Sequence, residues 1–181
     1  MTELAGALTS RLRTLWGPAV AVTEVRPMPG GASRESWDVR VRTGGEGDGD
    51  GGGLAGGGLA GGGDTERRLI LLRDAGGRTR QPARNVAVEA AAMIAARAAG
   101  VPVAELFDHG EGALGRAYLL MERLDGETIP RRLLRDDAYA AARPGLARRL
   151  GEVLARIHQI DPDQIPGLPH VGALGQLTEL Y

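Results

Sequence analysis

The sequence predicts an α+β fold, and three observations carry that expectation. Three strand-like stretches come first, one helical stretch and two further strand candidates follow, and beyond them only helical spacing is present. Antiparallel strands with segregated helices suggest α+β, and the strand-to-helix alternation of a doubly wound nucleotide fold is missing. The third observation is a glycine-rich insert, Thr43 to Asp64, which separates two strands and offers no residue able to anchor a core. It reads as a flexible loop, so the flanking strands form a hairpin with a swollen turn.

Composition narrows the function. A polypeptide of 181 residues with 22 basic and 23 acidic side chains, 29 Gly and no Cys describes a near-neutral soluble protein of about one domain. That balance points neither to nucleic acid nor to an anionic membrane as a partner. All 22 basic residues are arginine, which excludes a lysine Schiff base and a GxxxxGK[ST] phosphate loop. The absence of cysteine removes disulfides, thiolate nucleophiles and the common zinc sites, and three histidines do not suggest an imidazole-based metal site. No stretch approaches the roughly 18 apolar residues of a membrane span, so the expected location is the cytoplasm.

The opening MTELAGALTSRLRTLW carries Glu3, Arg11 and Arg13, has no cleavable apolar core, and is given no element. The first strand is AVAVTEVRPM, cut by Pro27 and Pro29 and followed by Gly30 and Gly31. In the second strand Trp37, Val39 and Val41 point one way while Asp38, Arg40 and Arg42 point the other; the third strand, RRLILLRD, is apolar from Leu69 to Leu72. Within the insert, Glu46, Asp48, Asp50 and Gly51 are spaced as in a calcium loop, but the twelfth position is Gly57 where a bidentate Glu is required.

A helix is expected from Pro82 or Asn85 to Ala99, stopped by Gly100 and Pro102. Val86, Glu89 and Met93 share one face of it, and a carboxylate among apolar neighbours demands a cation. VPVAELFDHG and RAYLLMERL supply the last two strands. A short helical piece near Ile129 to Leu134 follows, then a long helix with Leu146, Leu150, Val153, Leu154 and Ile157 at helix spacing, closed by Asp161 and Pro162.

Five segments then fall into a known order. GGASRESW after the first strand, LILLRD on the third, VAVEAAAM followed by AAGVPVAEL, AYLLMERLDGETI, and LARIHQID resemble the small-molecule phosphotransferases, the family of the aminoglycoside phosphotransferases and choline kinases, which share a bilobal protein-kinase-like fold. The resemblance implies transfer of the terminal phosphoryl of ATP or GTP to a hydroxyl of a small molecule. It implies that residues 1–124 form the nucleotide-binding N-terminal lobe and hinge, an antiparallel sheet plus one helix, with 44–63 as the flexible insert. Residues 125–181 then begin a helical C-terminal lobe that is incomplete.

The resemblance assigns roles residue by residue. Gly30 and Gly31 let backbone N–H groups approach phosphate oxygens, and Ser33 adds a hydroxyl donor. Arg73 stands where the family presents a basic residue on the third strand, lysine in many members. An Arg73 to Glu89 bridge would answer both that position and the carboxylate's demand, although arginine places its charge differently from lysine. Glu122 and Leu124 would pair their backbone carbonyl and N–H groups with the base, and Glu127 stands near a ribose hydroxyl.

The acceptor-orienting aspartate, the asparagine after it and the magnesium-binding aspartate of the family follow the long helix in patterns like HGDxxxxN. This sequence reaches Tyr181 without them, so no catalytic residue and no metal ligand is assigned, and magnesium is implied by the family alone. The expectation is a protein with only the nucleotide-binding part, inactive by itself; the alternative is a degenerate kinase lobe that binds nucleotide or a protein without catalysis. His109, Gly110 and Glu111 imitate the catalytic motif but precede the hinge and read as a strand-end turn. Asp161 and Asp163 imitate a paired metal site and read as a helix terminator.

Overall fold

The computed structural model describes residues 2–29, 34–44, 65–74 and 85–169. Gly30, Gly31, Ser33 and the insert beyond Gly44 lie outside these described residues. The elements are α1 (Thr2–Trp16), β1 (Val20–Met28), β2 (Arg34–Thr43), β3 (Thr65–Asp74), α2 (Val86–Ala98), β4 (Leu106–Gly110), β5 (Tyr118–Glu122), α3 (Pro130–Arg135) and α4 (Arg143–His158). Short 3-10 turns at Asp137–Tyr139 and Pro162–Gln164 complete the order. The α+β expectation holds: five strands form one antiparallel sheet in the order β1-β2-β3-β5-β4, with the helices outside it.

The hairpin reading of the insert is met at both ends. β2 and β3 pair in unbroken register from Arg34 opposite Asp74 to Thr43 opposite Thr65, so the strands run to the insert's margins. β1 continues through Pro27, which pairs opposite Trp37. Proline was expected to cut the strand there, but β1 is an edge strand, and a missing N–H is tolerated where no further strand needs it.

One element is not among those expected from the sequence. The opening segment is α1, and its Leu4, Leu8 and Leu12 recur every fourth residue and are buried against Val39, Val41, Leu69, Leu71 and Leu120. The sheet is therefore flanked by two helices rather than one. Strand alternation sends Leu69 and Leu71 to the α1 face, while Leu72, Leu119 and Met121 meet Val86, Ala90, Met93 and Ile94 of α2 on the other.

α2 is delimited by its caps. The Asn85 side chain accepts from the Ala87 N–H at 2.8 Å. At the far end Gly100 adopts φ +74°, and the Val101 and Gly100 N–H groups return to the Ala96 and Arg97 carbonyls at 2.9 and 3.0 Å, a Schellman closure that favours glycine. The two helices after the sheet are different in kind: neither α3 nor α4 buries a residue, and Leu134, Leu150, Leu154 and Ile157 are exposed. His158, in the last turn of α4, is exposed as well. Among the described residues no helix is long and apolar enough to cross a membrane.

Candidate functional site

Glu89 does find a cation, but it is not Arg73. Both oxygens of its carboxylate accept from Arg34, Nη1 to Oε1 at 2.9 Å and Nη2 to Oε2 at 2.6 Å. Arg34 opens β2, its side chain is 16% exposed, and its Nε lies 3.7 Å from Asp74 Oδ1. The paired carboxylate raises the Arg34 pKa against the opposing effect of burial.

The expected Arg73 to Glu89 bridge is corrected by the parity of β3. Arg73 follows Leu69 and Leu71 at intervals of two, so its side chain lies on the α1 face, whereas Glu89 belongs to the helix on the opposite face. Its partner is the cross-strand neighbour Glu35, with Nη2 at 2.7 Å and Nε at 3.1 Å from Oε2. Arg73 Nη1 also donates to the Leu114 carbonyl at 3.3 Å, and the guanidinium stands 5.9 Å from the Trp37 ring centroid. Arg116 reaches the same carboxylate at 3.2 Å. Arg73 holds the Glu35 carboxyl below the usual carboxylate range, opposed by burial and helped by the charge of Arg116.

After β5 the backbone leaves the sheet through Glu122, Arg123 and Leu124. Glu122 is tied on one side, its N–H donating to the Glu105 carbonyl at 2.8 Å and its Oε2 accepting from the Glu105 N–H at 3.3 Å. Leu124 is exposed and makes no backbone hydrogen bond to another described residue. The side chain between them matters beyond packing, which no local sequence signal foretells. Arg123 folds back over β2, with Nη1 2.6 Å from Asp38 Oδ2 and its own N–H on the Arg68 carbonyl at 3.0 Å. Arg68 adds 3.4 Å contacts to Asp38 and Asp125. Within this cluster Asp38 Oδ1 and the Nε atoms of Arg68 and Arg123 are buried without a hydrogen-bond partner.

Glu127, which the resemblance set near a ribose, is engaged locally. Its carboxylate accepts from the Thr128 and Ile129 N–H groups at 3.0 and 2.9 Å and from Arg132 of α3 at 2.8 Å, so it folds onto the turn that leads into α3. The Ile129 N–H, more than the Arg132 charge, lowers its pKa. The two decoys are accounted for too. His109 and Gly110 end β4 with Glu111 opening the turn, and Asp161 Oδ1 accepts from the Asp163 N–H at 3.0 Å as a cap. Among the described residues no group of three or more His, Cys, Asp or Glu is arranged to hold a metal ion.

On the α1 face, Arg11 grips Asp108 through Nε and Nη2, both at 2.7 Å, and the Tyr118 hydroxyl donates to the same carboxylate at 2.5 Å. Asp108 is 1% exposed. Burial, with the Asp108 hydrogen bond second, pushes the Tyr118 phenol up to about 12. This triad fastens α1 to β4 and β5, and it escapes a sequence reading because it spans 97 positions between Arg11 and Asp108.

A five-stranded antiparallel sheet, with a glutamate-bearing helix packed on one face and helices following the last central strand, is the architecture of a kinase-like N-terminal lobe. The phosphotransferase enzyme family matches residues 60–175, well over half of the chain, and the chain belongs to that family. None of the curated proteins matches it.

Proposed function

We propose that this phosphotransferase uses ATP or GTP and transfers the terminal phosphoryl to a hydroxyl of a small molecule, with the nucleotide bound on the α2 face of the sheet. The observation that carries the reading is the Arg34–Glu89 pair. It sets a fixed guanidinium on the sheet face shared with α2, at the start of the strand that follows the glycines after β1. Gly30, Gly31 and Ser33 take the phosphates through N–H and hydroxyl donors, and Glu89 acts through its cation. The Glu122 carbonyl and the Leu124 N–H take the edge of the base; the lack of a partner for the Leu124 backbone among the described residues supports this part.

In this reading residues 1–124 are the nucleotide-binding lobe and hinge, 125–181 open the helical lobe, and the protein works in the cytoplasm. Magnesium would neutralise phosphate charge in such a transfer. The described residues offer it no ligand cluster, and no step is assigned through it.

A second reading, a lobe that binds nucleotide or a protein without transfer, is favoured by one feature: the β3 residue that packs against α2 is Leu72, not a cation. Both readings are separated by measuring melting temperature with ATP, GTP and adenosine at millimolar concentration, and phosphoryl transfer from γ-labelled ATP and GTP to a panel of hydroxyl compounds. Nucleotide binding raises the melting temperature by mass action. Transfer to any hydroxyl compound supports the first reading and excludes the second, whereas binding without transfer is what the second reading requires and also accords with the first where residues 1–181 supply only the nucleotide-binding part. An unchanged melting temperature with every nucleotide would remove both nucleotide readings.

A further inference from the structure

We infer that the phosphate-facing cation of this protein is Arg34 on β2, held by Glu89, and that Asp74 weakens its grip on anions. The inference rests on the nucleotide-site reading and names the residue that carries its charge. The sequence has no lysine, so any such cation is an arginine. β3 supplies none to the α2 face beside Glu89: Leu72 lies in the apolar cluster under α2, and Arg73 is on the other face with Glu35. Arg34 fills the gap from the neighbouring strand.

The fork geometry leaves Arg34 able to do more than brace the helix. Each Nη donates one N–H to Glu89 and retains another, and the Nε lies 3.7 Å from Asp74, beyond a direct hydrogen bond. The bidentate carboxylate fixes the guanidinium plane, so the remaining donors are pre-aimed and little side-chain entropy is lost when an anion arrives. Glu89 and Asp74 together exceed the single positive charge of Arg34. Asp74 is 40% exposed, so water screens its charge but does not cancel it, which predicts a site weaker for polyphosphate than an isolated Lys–Glu pair. Arg34 is thus a binding residue, Glu89 positions it, and Asp74 opposes it.

The test is the ratio of ATP to adenosine dissociation constants, measured calorimetrically on the full protein, because only a phosphate contact moves that ratio. Arg34→Gln is expected to shift it against ATP by about tenfold or more, the range of a lost charge-assisted hydrogen bond. Asp74→Asn is expected to shift it several-fold in favour of ATP, and Arg73→Gln to leave it within about twofold. If Arg34→Gln does not fold, as judged by circular dichroism, Arg34→Lys keeps the charge, loses the fork, and should show a smaller shift of the same sign. An unchanged ratio in the Arg34 variants, or the loss of ATP preference in Arg73→Gln, would overturn the assignment while leaving nucleotide binding itself intact. Failure of the unaltered protein to bind ATP, GTP or adenosine would overturn the nucleotide reading and this inference with it.

Discussion

Glu89 illustrates how a single residue is read from sequence and then paired by geometry. A carboxylate on an otherwise apolar helix face announces a cation, and the bidentate Arg34 contact answers that demand. The two pairings make opposite predictions in double-mutant cycles of unfolding free energy. Arg34→Ala and Glu89→Ala should couple by about 0.5–3 kcal/mol, whereas Arg73→Ala and Glu89→Ala should add within about 0.5 kcal/mol. Coupling in the second cycle but not the first would restore the Arg73 to Glu89 pairing. The Tyr118 hydroxyl gives a second residue-scale test. Its folded pKa is raised from 10.0 to about 12, so the folded state favours the protonated phenol. The stability this contributes is complete below pH about 10 and is lost as pH climbs towards about 12. Alkaline titration of the melting temperature should show that loss in the unaltered protein and a flatter profile in Tyr118→Phe.

At the scale of elements, α1 is joined to the sheet by both an apolar row and a buried ion triad. Leu8 is fully buried in the core, so Leu8→Ala should cost about 2–5 kcal/mol in chemical denaturation. Asp108→Ala removes the acceptor of both Arg11 and Tyr118. Because Arg11 is 35% exposed and can return to water, the expected cost is about 2–3 kcal/mol, below that of a wholly buried pair. A loss under about 1 kcal/mol would show that α1 is held by its leucines alone. The β2–β3 hairpin carries a different expectation, since its pairing is complete to Thr43 and Thr65. Replacing residues 45–64 by a four-residue turn should stabilise the fold by roughly 1 kcal/mol, because closure entropy scales with the logarithm of loop length.

Across the whole molecule the two halves differ in how they bury apolar surface. The sheet and its two helices share two buried clusters, while Leu124, Ile129, Leu134, Leu150, Leu154 and Ile157 are exposed in the segment after the sheet. Exposed apolar surface of this kind favours association. Sedimentation velocity is therefore expected to show concentration-dependent association, reduced in the double variant Leu150→Glu, Leu154→Glu with melting temperature little changed. A monomer at all concentrations would mean that this surface is satisfied within the molecule.

The order and type of the elements from Val20 onward were legible in the residues because their signals are local. Alternation in β2 and β3, the Asn85 cap and the Gly100 stop each act within a few positions of one another. The α1 helix carries its signal in Leu4, Leu8 and Leu12, but that leucine row is interrupted by charged and alanine positions and becomes decisive only where the sheet supplies the face it packs on. The site was legible in part: Glu89 as a carboxylate needing a cation, and Leu69, Leu71 and Arg73 as sharing a face. Which face would meet α2 was not legible. Strand alternation sorts side chains into two sides without labelling either, and both sides of this sheet are covered by a helix. The labels come from long-range packing: α1 occupies the side of Leu69 and Leu71, α2 takes the side of Leu72, and Glu89 therefore meets Arg34, 55 positions away, instead of Arg73.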